Sequence, residues 1–105
     1  MRADAFAVLA EPTRRKILDE LRVREMSVND LVSILSMSQP AVSKHLKVLR
    51  DSGLASVRVD AQKRVYRLDP AQLRNVDDWL APYRSLMNSQ LDKLEQHLDR
   101  KAQKP

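Results

Sequence analysis

A chain of 105 residues, 43% apolar and 31% charged, has material for one small folded domain with a single core. The absence of cysteine excludes disulfides, thiolate metal sites and thiol redox switching, and the net charge of +5 raises the question of where the positive surplus sits. No run approaches the roughly 18 apolar residues of a membrane span, and the opening MRADAFAVLAEP carries an acid and too short an apolar run for a signal peptide, so the expected compartment is the cytoplasm.

Phe6 and Leu9, with Ala3, Ala5, Ala7 and Ala10, make a short apolar helical segment that ends at Glu11 and Pro12. Pro12 suits the first turn of a second helix, where a missing N–H costs nothing, and Ile17, Leu18 and Leu21 form its buried stripe. Arg14, Arg15 and Lys16 at that helix start fit phosphate contact or plain solvation equally well. Ser27 and Asp30 have the spacing of a capping box, and Val28, Leu31, Val32 and Leu35 follow as one face of a short third helix. Ser36, Met37 and Ser38 leave room for a tight turn only.

Ser38 is a natural N-cap with Pro40 in the first turn of the next helix, which runs to Ser52. Val42, Leu46 and Leu49 lie on its inner side, and Gln39, Ser43, Lys44, Lys47 and Arg50 on the opposite arc. His45 falls on the border, suited to packing or to reading a base. Gly53, the single glycine, stands where a left-handed helix end is wanted. Ala55, Val57 and Val59 then alternate with polar residues, and Arg64 to Leu68 is a second strand. With no glycine among Asp60, Ala61, Gln62 and Lys63, a four-residue loop on a type I turn is expected rather than a two-residue hairpin.

From Ser38 to Arg67 seven Lys or Arg stand against two acids, a surplus of five that equals the charge of the whole chain. A positive helix and hairpin suit the phosphates of duplex DNA, whose neutralisation releases counterions.

From Pro70 to about Lys101 the pattern is helical again, with Leu73, Val76, Leu80, Tyr83 and Met87 in one register and Leu91, Leu94 and Leu98 in another. The slip between the registers and Pro82 predict a bend or break. A continuous helix would span about 45 Å, more than this domain's core can cover, and a second copy is the obvious cover. Trp79, with Tyr83, Leu86 and Met87, fits interface packing or the lining of an effector pocket. The tail from Arg100 to Pro105 is expected to fray.

Two short helices, a tight turn and a basic hairpin define a winged helix-turn-helix, mainly α with a small β-hairpin and a long C-terminal dimerisation helix. The chain reads as one domain over residues 1–105, with the helix-turn-helix at about 27–52, the wing at about 54–68 and the last helix at about 70–100. EPTRRKILDEL, SVNDLVSILSMSQPAVSKHLKVLRDSGL and KRVYRLD together resemble the ArsR family of bacterial winged-helix regulators over about residues 5 to 75.

The resemblance implies a homodimer paired through its first and last helices, bound to an imperfect DNA palindrome as a repressor of its own or a neighbouring promoter. It assigns DNA contact to Gln39, Ser43 and Lys44, then to Ser38, Pro40, His45 and Lys47, with Arg58, Lys63 and Arg64 of the wing on the backbone. It assigns the dimer interface to Phe6, Leu9, Leu73, Leu80, Tyr83, Met87, Leu91 and Leu94. Many members sense metals, yet Ser27 and Asn29 stand where a third-helix cysteine pair would fall, and Pro70 and Gln72 where acid and His ligands are expected.

His97 has no second imidazole at i+3 or i+4, so no metal or other cofactor is expected, although two copies of His97 would allow a symmetric, non-standard site. The alternatives are a metal-responsive repressor of that kind and a winged-helix module that binds protein instead of DNA; a small-molecule effector is a further partner that the leading reading allows. Two histidines, no cysteine and no glycine-rich loop offer no catalytic constellation, so an enzyme is not expected.

Overall fold

A computed structural model of the chain describes residues 4–103. They form α1 (Ala5–Leu9), α2 (Pro12–Val23), β1 (Met26–Ser27), α3 (Val28–Leu35), α4 (Gln39–Asp51), β2 (Ala55–Asp60), β3 (Lys63–Leu68) and α5 (Ala71–Gln103). The strands make one antiparallel sheet in the order β1-β3-β2. Ala3 of the expected first helix, and Lys104 and Pro105 of the expected frayed tail, lie outside the described residues.

Local chemistry places the helix boundaries. The Glu11 carboxylate accepts the Arg14 N–H at 3.1 Å ahead of Pro12. Ser27 and Asp30 close a reciprocal capping box at 3.2 and 3.0 Å, and the Ser38 hydroxyl accepts the Ala41 N–H at 3.3 Å. The turn between α3 and α4 begins at Ser36, whose φ of 53° and ψ of 44° are left-handed.

At the far end of α4, Gly53 has φ 79°. Its N–H bonds the Arg50 carbonyl at 3.0 Å and the Leu54 N–H bonds the Leu49 carbonyl at 2.8 Å, a Schellman motif with Leu49 and Leu54 both buried.

The core is what these boundaries bring together. Ile17, Leu18 and Leu21 of α2, Leu31 of α3, and Val42, Leu46 and Leu49 of α4 pack on Met26, Ala55 and Tyr66 of the sheet, with Val8 of α1 closing one side. From α5, Leu73 and Val76 join only as partly buried neighbours.

Four features depart from the sequence reading. A third strand, β1, pairs Met26 with Tyr66 and Ser27 with Val65; two residues are too few to display an alternation. The wing turn is a two-residue hairpin, since Asp60 pairs with Lys63, and Ala61 takes φ 56° in place of a glycine. Strand pairing right up to the turn outweighs a left-handed penalty of about 1–2 kcal/mol.

The third departure is α5, which continues unbroken through Pro82. The proline leaves the Asp78 carbonyl without its usual donor, and around this turn an Arg84–Asp77 ion pair and a 3.4 Å bond from the Ser85 hydroxyl to the Ala81 carbonyl hold the helix. The fourth is the tail, where the helix persists to Gln103. At 33 residues α5 is about 50 Å long and overhangs the rest of the fold. The radius of gyration is accordingly 19.4 Å, where a compact chain of this size has about 13 Å.

Candidate nucleic-acid interface

The N-terminus of α3, one face of α4 along its length and the wing surround an open cleft of about 510 Å³. Gln39, Ser43, Lys47 and Arg50 reach it from α4, and Gln62, Lys63, Arg64 and Tyr66 from the wing, with Ser27 and Asn29 on the third side. Among the described residues no Asp or Glu lines it. Four cations without an acid among them give the cleft a positive field that a polyanion would feel. The helical period explains the α4 contribution, because positions 39, 43, 47 and 50 are separated by one turn each.

The residues expected to touch DNA divide into three groups. Gln39, Ser43, Lys47, Lys63 and Arg64 converge on the cleft. Ser38, Pro40 and Lys44 are exposed along the outer side of α4 but do not line it, and the Ser38 hydroxyl is occupied as the cap. His45 turns away from the wing toward α2, where its Nδ1 lies 4.0 Å from the Glu11 carboxylate, buried and without a hydrogen bond. Partial desolvation pushes Glu11 up, but the Arg14 N–H, the His45 ring and Thr13 together hold it below the usual glutamate range.

Arg58 stands apart. Alternation along the paired strands puts Ala55, Val57, Arg64 and Tyr66 on the core side of the sheet and Ser56, Arg58, Asp60, Val65 and Arg67 on the outer side. There the Arg58 Nε and Nη2 donate to Glu25 Oε2 at 3.1 and 2.9 Å, and Nη1 is 3.7 Å from Asp60. The hydrogen bond and charge of Glu25 raise the Arg58 pKa further. Arg67 donates to the Ser56 hydroxyl at 2.8 Å on the same face.

Sequence reasoning placed Arg50 on the cationic outward arc of α4 without naming it as a contact, and missed Ser27, Val28, Asn29, Gln62 and Tyr66 as cleft residues. Those five need the position of the wing.

The second surface is apolar. Phe6 of α1 packs edge-on against Trp79 at a centroid distance of 5.5 Å, and Trp79 lies 4.8 Å from Tyr83. Beyond them Met87, Leu91 and Leu94 are exposed along α5, joined by Leu86 and Leu98, which the expected interface omitted. Leu9 and Leu73 instead pack partly on the core, and Leu80 is half-buried. Among the described residues no three His, Cys, Asp or Glu side chains gather, His97 included, and no helix is long and apolar enough to cross a membrane.

The chain is similar to known proteins in sequence and fold. Residues 11–57 match the family model described as bacterial regulatory protein, arsR family. The HTH-type transcriptional regulator Rv2034 of Mycobacterium tuberculosis is 44% identical over 66% of this chain and 64% of its own length, so the chain spans slightly under two thirds of that relative. The transcriptional repressor SdpR of Bacillus subtilis is 31% identical over 73% of the chain and 86% of its own length. The solved structure of an ArsR family transcriptional regulator superposes with a TM-score of 0.68 at 31% identity, covering 80% of this chain and 87% of that one.

Proposed function

This chain belongs to the ArsR family of bacterial regulatory proteins, and on that footing we propose that it is a cytoplasmic, sequence-specific DNA-binding repressor of its own or a neighbouring promoter, acting as a homodimer and not as an enzyme. The carrying observation is the acid-free cationic cleft beside a capped, rigidly ended α4. A helix fits the major groove, about 12 Å wide, and the wing then follows the adjoining backbone.

In this reading Gln39 and Ser43 address base edges, while Lys44 and Lys47 meet phosphates from α4 and Lys63 and Arg64 from the wing. Pro40 and Ser38 shape the approach of the helix N-terminus. The homodimer is supported by the exposed stripe of Tyr83, Met87, Leu91 and Leu94 on an α5 that overhangs its own core. Apolar residues repeated along a helix without a covering layer need a partner, and a second copy supplies the same stripe. To read an imperfect palindrome, two copies related by a two-fold axis would have to present their α4 helices about 34 Å apart, one turn of the duplex.

Footprinting of the gene's upstream region, followed by a salt titration of binding to the protected duplex, tests the reading. A steep negative slope of log affinity against log salt is expected. Lys47→Ala should weaken all sequences alike, and Gln39→Ala should relax the choice of base at one position by about 1–3 kcal/mol of discrimination. A flat slope, or no protection, defeats the assignment.

A further inference from the structure

The outer face of the wing carries an arrangement that the interface just described does not use. We propose that Glu25 is a positioning residue that clasps the Arg58 guanidinium to the outer face of the sheet, withholds it from DNA phosphates and so limits the sequence-independent part of binding. The inference rests on the DNA-binding reading above.

The sheet order makes the clasp possible. Glu25 immediately precedes β1, whose Ser27 pairs with Val65 of β3. Arg58 of β2 pairs with the same Val65 from the other side, so only one strand separates acid from base. The long Arg58 side chain crosses that strand and presents Nε and Nη2 together to one carboxylate oxygen, while Nη1 faces Asp60. All three guanidinium nitrogens thereby look at acids. Arg64, by contrast, lines the cleft on the opposite face, and neither it nor Lys47 nor Lys63 has a carboxylate within 4.0 Å among the described residues.

A planar guanidinium that donates two hydrogen bonds to one carboxylate oxygen is restrained in direction as well as in charge. For Arg58 to reach a phosphate it must leave Glu25, and the phosphate must then approach an uncovered Glu25, a like charge. The clasp therefore subtracts one cation from the wing. Phosphate contacts give affinity for any duplex and base contacts give discrimination, so a withheld phosphate contact favours discrimination.

The test compares the full-length protein with Glu25→Gln, Arg58→Gln and the double variant on a mixed-sequence duplex across a salt series, with melting curves to check each fold. Release of Arg58 in Glu25→Gln should steepen the slope of log affinity against log salt by about 0.9, equivalent to a further loss of roughly 3.5-fold between about 50 and 200 mM salt. Glu25→Ala should do the same, whereas Arg58→Gln and the double variant should keep the wild-type slope.

A second measurement needs no substitution: the Arg58 Nε–H resonance of the wild-type protein should stay in place when duplex is added. The proposal is overturned if Arg58→Gln flattens the slope by a similar amount, if Glu25→Gln leaves it unchanged, or if that resonance moves. A wild-type slope near zero would instead remove the DNA-binding reading itself.

Discussion

Leu91→Ala is the sharpest test of a paired α5. Leu91 is 61% exposed in the single chain, although it sits in line with Met87 and Leu94. Full burial of a leucine stabilises by about 2 kcal/mol, so covering the exposed part yields about 1.2 kcal/mol per copy. A two-fold symmetric seam contains the residue twice, giving roughly 2.4 kcal/mol and a dimer dissociation constant about 50-fold weaker in the variant. Because the side chain makes little contact within its own chain, the dilute monomer should melt as before. Sedimentation equilibrium across a concentration series measures the constant, with Lys93→Ala, also exposed on α5, as the control. Equal constants for wild type and Leu91→Ala would refute the argument, as would equal weakening by Lys93→Ala.

Two further substitutions probe local structure. Ala61→Gly removes a left-handed penalty of about 1–2 kcal/mol at the wing tip and adds back about 0.4–1 kcal/mol of unfolded-chain entropy, so urea denaturation should show a gain of roughly 0.5–1 kcal/mol. A loss would mean that Ala61 does not hold φ above zero. Asp30 is held below the ordinary aspartate range by the Ser27 N–H, then by the Ser27 hydroxyl, with Arg24 and Lys63 adding smaller electrostatic contributions. A depressed carboxylate contributes stability that is present above its unfolded pKa and lost as pH falls through the folded one. Asp30→Asn should therefore flatten the acid limb of the stability profile below the ordinary aspartate pKa, and urea midpoints whose acid limb matches that of wild type would count against it.

What could be read in advance follows from how far apart the interacting residues are. The α3 capping box and the α4 cap and glycine end depend on neighbours within four or five positions, and all were legible. So was the inward stripe of α4, because the helical period encodes it directly. The clasp between Glu25 and Arg58 joins residues 33 positions apart, and it exists only because a two-residue strand slips in beside β3. Glu25 also lies outside the stretch whose charge was counted, so the cationic surplus of the folded wing is smaller than the sequence suggests.

The wing turn failed for a different reason. Glycine is the usual sign of φ above zero, and Ala61 adopts it because the ladder on either side is complete. Pro82 misled likewise: a helix that long loses one backbone bond and keeps its neighbours.

The Schellman end of α4 has a mechanical consequence. Leu49 and Leu54 are locked together across Gly53, so the reading rod and the hairpin behind it behave as one solid piece. In the proposed dimer a signal could not pry the rod from a groove while the hairpin stayed seated; each copy would swing as a block. Control would then be most cheaply exerted on the angle between the two copies, far from the letters being read.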